Sequence, residues 1–311
     1  MATNPSLQIL GLQALPRLVE KFDTESNDFL TFSDLYGKTV EEFTKACDNC
    51  VKILYRLFEE HQISWRDVFS NSDIGRERNA LVRDIGLEKD DTILEMGCGR
   101  GYFSIAAATV SSNVIGLDMM NGLDRHSWWS NFKETVRELR LEPRIVDLKA
   151  EAQSIPLREG SVDKAIAAHS IRNFQSKQAI QNTISEMNRV LTDDGEMILA
   201  ETLPSPRNNA QEAHLAFYRC KCKYGWGDLP YFSQEELSEL FEEIGIAETT
   251  IQVVDYNLSA APPIFWLNTS RLKDNQVEEA QRQYYEALEM IRKYGEASPP
   301  TAIIRAKKHS K

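Results

Sequence analysis

Residues 92–108, TILEMGCGRGYFSIAAA, place three glycines, Gly97, Gly99 and Gly101, within five positions. A carboxylate, Glu95, stands two residues before them, and a second, Asp118, follows 17 residues after the last glycine. Glycine leaves the backbone bare and permits positive φ, so a ligand can lie against the chain at such a turn. The spacing is G-x-G-x-G and not the G-x-G-x-x-G of dinucleotide sites. Glu95 ahead of the turn suits a cationic ligand and repels a pyrophosphate. A carboxylate at Asp118 can accept hydrogen bonds from both hydroxyls of a ribose. Met119 beside Asp118 and Cys98 inside the turn are further candidates on the ligand side. Cys98 reads as a small turn residue and not as a nucleophile.

These residues need elements to position them. From Thr92 onward short apolar runs alternate with amphipathic helices, the pattern of βαβ units and a parallel sheet. Strands are expected at TILEM, NVIGLD, RIVDL, VDKAIAA, EMILAE, near TTIQVVDYN and at TAIIRAKK. PPIFWLN is an alternative seventh strand. Helices are expected at YFSIAAATV, near WWSNFKETVREL, at KQAIQNTISEMNRVL with Ser176 as cap and Gly195 after its end, and at SQEELSELFEEIGI. The last opens with a capping box, Ser233 with Glu236. Strand one runs straight into the glycine turn, which puts the turn at the carboxyl edge of an open sheet, where ligands bind.

Residues 1–88 read as helical. Val40, Phe43, Ala46, Cys47, Cys50, Ile53, Leu54 and Leu57 form one apolar stripe at helical spacing. The expected organisation is a helical cap region over 1–88 and a ligand-binding domain over 89–311. The latter carries a cap segment over 203–232 and a helical insertion over 272–295.

The stretch ILEMGCGRGYFSIAAA together with VIGLD resembles motif I and the acidic loop of class I S-adenosylmethionine-dependent methyltransferases. AEAQSIPLREGSVDKAIAAHSIRNF is similar to the D-A-x-x-L-P-F stretch and strand-four loop of that family. Its IRNF ending is similar to the Leu-Arg-Asn run of the ubiquinone/menaquinone methyltransferase branch. The resemblance covers about residues 80–255. It implies a Rossmann-like, mostly parallel α/β sheet of seven strands, with S-adenosyl-L-methionine cradled by the glycine turn. It also implies that the loop holding Glu151 and Ala152 flanks the adenine, and that His169, directly after strand four, lies near the transferred methyl. A neighbouring sulfonium disfavours imidazolium, so His169 is either a proton acceptor or a residue that packs and orients the cofactor. Arg172 and Asn173 are candidates for an anionic or carbonyl group of the substrate, although Arg172 can instead pair with Glu201. The cap segment is rich in aromatic residues, and Tyr218, Tyr224 and Trp226 are its substrate-side candidates. Aromatic walls suit a flat or apolar substrate, or a cation.

The formal net charge of −11 argues against nucleic acid and anionic membrane as partners. No apolar run is long enough to span a bilayer. The N-terminal stretch lacks a basic segment followed by an apolar core, so it does not read as a signal peptide. Five cysteines point to a reducing compartment, the cytosol. Cys47-x-x-Cys50 and Cys220-x-Cys222 contain enough thiols for a closed zinc site, yet cysteine is also a common small buried hydrophobe, and no metal is expected. The reading is therefore methyl transfer to a small aromatic or apolar molecule. A non-catalytic cofactor-binding regulator and an RNA methyltransferase are the alternatives, and a homodimer remains open.

Overall fold

The computed structural model describes residues 4–22, 29, 32–35, 38, 40–119, 128–174, 176–224, 231–246, 248–259 and 277–308. Four helices precede the first strand: α1 (Pro5–Lys21), α2 (Val40–His61), α3 (Trp65–Asn71) and α4 (Asp73–Ile85). There follow β1 (Thr92–Met96), α5 (Tyr102–Ala107), β2 (Asn113–Asp118), α6 (Trp128–Glu138), β3 (Ile145–Lys149), β4 (Val162–Ala168), α7 (Lys177–Val190) and β5 (Leu191–Thr202). The chain continues through α8 (Asn209–Tyr224), α9 (Gln234–Glu242), β6 (Thr249–Val254), α10 (Glu278–Tyr294) and β7 (Thr301–Lys307). PPIFWLN lies outside the described residues.

Contacts divide the chain into two compact units, and the division falls within α4. The first unit comprises residues 1–78, 206–228 and 256–299, and the second comprises 79–205, 229–255 and 300–311.

The first unit is helical. Asn4 caps α1 by accepting the Leu7 N–H at 3.0 Å, and Pro5 occupies the first turn, where its missing N–H costs nothing. Gly11 lets α1 press onto α2: a Cβ there would stand 2.8 Å from Leu54 Cδ1. The expected stripe of α2 is buried at Cys47, Cys50, Ile53, Leu54 and Leu57. In the same unit α8 packs on α10 through Phe217 and Tyr284, whose rings meet edge to face at 5.8 Å.

The second unit is a seven-stranded sheet of order β3-β2-β1-β4-β5-β7-β6. The first five strands run parallel, while β7 is antiparallel to both β5 and β6. Alternate strand residues point to opposite faces. Leu94, Met96, Ala165, Ala167, Met197, Leu199 and Ile304 pack with α7 (Ile180, Ile184, Met187) and α9 (Leu237, Leu240, Phe241). Ile93, Ile166, Ile198 and Ile303 are equally buried and face the other way. Both faces are therefore covered, as a parallel sheet requires. The order reverses between β1 and β4, a topological switch point.

Ser176 caps α7 through the Ala179 N–H, and Ser233 and Glu236 form the expected capping box on α9. Gly195 does not end α7. The helix stops at Val190, the chain turns into β5 at Leu191, and Gly195 lies inside that strand, where the pairing register with β4 shifts between Val162 and Lys164. A glycine at such an irregularity does the work of a bulge and not of a helix cap. Among the described residues, no helix is long and apolar enough to cross a membrane.

Candidate functional site at the carboxyl edge of the sheet

β1 ends at Met96 and the glycine turn begins at once. The Cys98 N–H donates to the Leu117 carbonyl at 3.0 Å, and the Gly101 N–H donates to the Cys98 carbonyl at 2.7 Å. Gly97, Gly99 and Gly101 have φ of +65°, +54° and +73°. The reason for bare backbone differs along the turn. A Cβ on Gly101 would stand 2.0 Å from two ring carbons of Phe132, and one on Gly97 would stand 2.9 Å from Ser170 Cβ. At these two positions the close neighbour is the protein itself. At Gly99 the N–H donates to Asp118 Oδ2 at 2.9 Å, which fixes the second-strand carboxylate against the turn.

Glu95 is buried and its carboxylate accepts both the backbone N–H of Ser104, at 2.8 Å, and the Ser104 hydroxyl. Ser104 is the third residue of α5, so this carboxylate satisfies an N-terminal donor that the short helix cannot. Glu95 therefore anchors the turn from beneath. Replacing Glu95 by Ala should lower stability by about 1–3 kcal/mol, the cost of a buried donor left unsatisfied, and urea denaturation measures it directly. Burial, and after it the negative charges of Glu95 and Asp118, hold the Cys98 thiol well above the ordinary thiol range. Cys98 is a neutral packing residue in a locally negative field.

The neighbouring strand ends meet the same edge. The Ala150 N–H donates to the Asp118 carbonyl at 3.1 Å, which draws the residues after β3 toward the end of β2. Met119 is 59% exposed, Glu151 is exposed and Ala152 half-buried, all three at this rim.

β4 pairs with β5 up to Ala168–Ala200, and His169 is the next residue. Its φ is +54°, a left-handed conformation that a non-glycine residue adopts at some cost. The His169 N–H donates to the Ala200 carbonyl at 2.8 Å, and Thr202 Oγ1 lies 3.1 Å from His169 Nδ1. A 3-10 turn, Ile171–Asn173, follows. The Ile171 N–H donates to Glu201 Oε1 at 2.9 Å, while Arg172 Nη1 donates to the His169 carbonyl at 2.8 Å and stands 3.3 Å from Glu201 Oε2. The Arg172 guanidinium also lies 5.6 Å from the Tyr231 ring centroid. Burial raises the Glu201 carboxyl above the ordinary carboxylate range, against the opposing pull of Arg172. Asn173 is exposed.

Glu95, Gly97, Cys98, Gly99, Gly101, Asp118, Met119, Glu151, Ala152, His169, Arg172 and Asn173 thus gather on one edge of the second unit. Tyr218 and Tyr224 belong to α8 of the helical unit, where Tyr218 is buried beside His214 with ring centroids 6.4 Å apart. Trp226 lies outside the described residues. Cys47, Cys50 and Cys220 are buried, and burial pushes the Cys47 and Cys220 thiols up to about 12 and about 11. Cys220 Sγ donates to the Ala280 carbonyl at 3.7 Å. Among the described residues, no group of three or more His, Cys, Asp or Glu side chains is arranged to hold a metal ion.

Sequence reasoning missed Ser104, Phe132, Ser170 and Thr202. Ser170 Oγ donates to the Met96 carbonyl at 2.8 Å and ties the strand-four loop to the glycine turn. Nothing in the sequence singles Thr202 out: the expected fifth strand, EMILAE, ends one residue before it, and its nearness to His169 follows from β5 lying beside β4.

Residues 94–199 match a family model described as a methyltransferase domain. The ubiquinone/menaquinone biosynthesis C-methyltransferase of Syntrophotalea carbinolica is 32% identical over 151 residues, which cover 48% of this chain and 58% of that protein. The match thus spans less than two thirds of that relative. The demethylmenaquinone methyltransferase of Staphylococcus aureus is 23% identical over 214 residues, covering 63% of this chain and 78% of the relative. Among solved structures, a cyclopropane-fatty-acyl-phospholipid synthase-like protein from Lactobacillus casei superposes with a TM-score of 0.61 at 16% identity. That superposition covers 78% of this chain and 92% of the other, and it shows the shared fold.

Proposed function

We propose, from the match of residues 94–199 to a methyltransferase domain and from the site geometry, that the protein is a class I, S-adenosylmethionine-dependent methyltransferase that transfers the methyl group to a carbon of a small, electron-rich aromatic ring. The observation that carries this reading is the Gly99–Asp118 hydrogen bond. It fixes a carboxylate at the lip of the glycine turn, and a carboxylate with one oxygen so engaged has further lone pairs for the two hydroxyls of a ribose.

The residues present fit the cofactor. Asp118 would hold the ribose, the loop bearing Glu151 and Ala152 would flank the adenine beside Met119, and the turn from Gly97 to Gly101 would hold the amino-acid portion. Burial first, and then the carboxylates of Glu95 and Asp118, raise the Cys98 thiol, and the negative charge of those two groups suits a cationic sulfonium. When bound, S-adenosylmethionine supplies an activated methyl whose bond to sulfur breaks with the electron pair kept by sulfur.

His169 takes the proton of a ring hydroxyl, which raises the electron density of the adjacent ring carbon. That carbon forms the new bond to the methyl and then loses its own proton, while the ring oxygen recovers the proton held by His169, so that the ring regains aromaticity, the hydroxyl is restored and one proton is released in total. The support for a quinol-like acceptor is the similarity to a ubiquinone/menaquinone biosynthesis C-methyltransferase and a demethylmenaquinone methyltransferase. The support for a small molecule in preference to nucleic acid is the net charge of −11, and a reducing, cytoplasmic setting rests on the odd count of five cysteines.

The test is release of S-adenosylhomocysteine from the full chain with S-adenosylmethionine and 1,4-naphthoquinol, set against transfer RNA. Methylated naphthoquinol is the expected product. Turnover with RNA alone would replace this reading. Binding of the cofactor without turnover of any acceptor from a small-molecule extract would favour a regulator. Asp118→Ala should weaken S-adenosylmethionine binding by about 1–3 kcal/mol, the usual loss with charge-assisted hydrogen bonds. Calorimetry showing unchanged affinity would move the ribose contact elsewhere.

A further inference from the structure

We infer that the end of β5 is a positioning clamp, in which Thr202 holds the His169 ring in the tautomer that can accept a proton at Nε2. This rests on the reading of His169 as the proton acceptor.

Three consecutive residues of β5 grip the loop after β4. The Ala200 carbonyl accepts the His169 N–H at 2.8 Å. Glu201 accepts the Ile171 N–H at 2.9 Å through Oε1 and meets Arg172 Nη1 at 3.3 Å through Oε2. Thr202 Oγ1 lies 3.1 Å from His169 Nδ1. The other edge of β5 is paired with β7, Glu201 opposite Ala302 and Thr202 opposite Thr301, so the gripping residues are themselves held on a central strand. Glu201 and Thr202 are 1% and 6% exposed, which shields these bonds from water.

Such a grip accounts for the backbone of His169. A left-handed non-glycine residue is disfavoured because its Cβ crowds the following carbonyl oxygen, and it persists only where its surroundings over-determine it. Here the N–H, the carbonyl and the ring are all engaged, the carbonyl by Arg172 at 2.8 Å. Arg172 is accordingly a positioning residue in this scheme, with Glu201 as its partner and not a substrate group.

The ring contact decides the chemistry. A neutral imidazole carries one N–H, and the other nitrogen is the acceptor. Proton uptake at Nε2 therefore requires hydrogen on Nδ1, and that N–H needs an acceptor. The Thr202 hydroxyl oxygen, with two lone pairs, serves as one. A carboxylate is the commoner partner of a histidine base; a hydroxyl can donate or accept, and in the inferred arrangement it accepts the Nδ1 hydrogen without adding a charge beside a cationic sulfonium site.

The experiment labels histidine with nitrogen-15 in the full chain and reads ring tautomers from long-range proton–nitrogen spectra, His169→Ala identifying the His169 signals. Wild type should show hydrogen on Nδ1. Thr202→Val, which keeps shape and removes the hydroxyl, should lose that pattern, and Thr202→Ser should keep it. Should the valine variant not fold, Thr202→Ala carries the same readout. With S-adenosylmethionine and 1,4-naphthoquinol, Thr202→Val should lower kcat about tenfold, near the effect of one lost hydrogen bond, with KM unchanged and activity restored in Thr202→Ser. A His169 spectrum unchanged in Thr202→Val overturns the clamp. Full activity in His169→Ala would instead overturn the proton-acceptor reading, while the ring spectrum still judges the clamp by itself.

Discussion

His169→Ala should lower kcat roughly 10²- to 10⁴-fold, the range for loss of a positioned acid–base group, with S-adenosylmethionine affinity nearly unchanged. The expectation follows from position. His169 is the first residue beyond β4, at the switch point where the sheet order reverses, and its ring is held by Thr202 at the end of the adjacent strand. In the proposed reaction the sulfonium carries the activation, and His169 is assigned the proton taken from the acceptor. The rate should fall on the acid side as the ring protonates, because an imidazolium has no lone pair to offer. That acid limb should vanish in the alanine variant. A loss confined to cofactor affinity would make His169 a binding residue, and an unchanged acid limb would assign the titration to another group.

Gly101→Ala should destabilise the sheet unit by roughly 3 kcal/mol or more, the sum of a left-handed residue and an overpacked contact. Gly101 has φ +73°, and an added Cβ would stand 2.0 Å from Phe132, which is fully buried on α6. Neither the turn nor the ring has room to yield: the Gly101 N–H is bonded to the Cys98 carbonyl at 2.7 Å, and the same ring packs 3.1 Å from the site of a Cβ on Gly116. Urea denaturation gives the loss. A double-mutant cycle with Phe132→Ala separates the two causes, because steric conflict makes the pair less destabilising than the sum of the singles. Strict additivity would mean that the strain is confined to the backbone, and a stable Gly101→Ala protein would remove the packing explanation altogether.

The two results bear on different parts of one edge. Gly101 is required by the protein's own packing, so its loss should unfold the unit in the absence of any ligand. His169 is proposed to act in the reaction, so its loss should leave a folded protein that binds cofactor. A Gly99→Val variant lies between these cases. Its N–H fixes Asp118, its φ is +54°, and it should lose S-adenosylmethionine binding.

The sequence by itself determined the sheet. Seven strands, the glycine turn after the first, the acidic end of the second and the histidine after the fourth were all readable, because short apolar runs, helix caps and glycine spacing are local signals. Strand two and strand four occupy the residues expected of them, NVIGLD and VDKAIAA. The capping box of α9 was equally local. Tertiary structure decided what those residues touch. Glu95, expected to face a cationic ligand, is spent on Ser104 of α5. Gly97 and Gly101, expected to make room for a ligand, make room for Ser170 and Phe132. Gly195, expected to close a helix, sits within β5. Thr202 drew no notice in the sequence, since its importance comes from strand order: only once β5 lies beside β4 does a hydroxyl 33 residues downstream reach the His169 ring. Local patterns report which backbone a segment prefers. The partner of a buried polar group is set by which elements fold next to it, and that is a property of the assembled sheet.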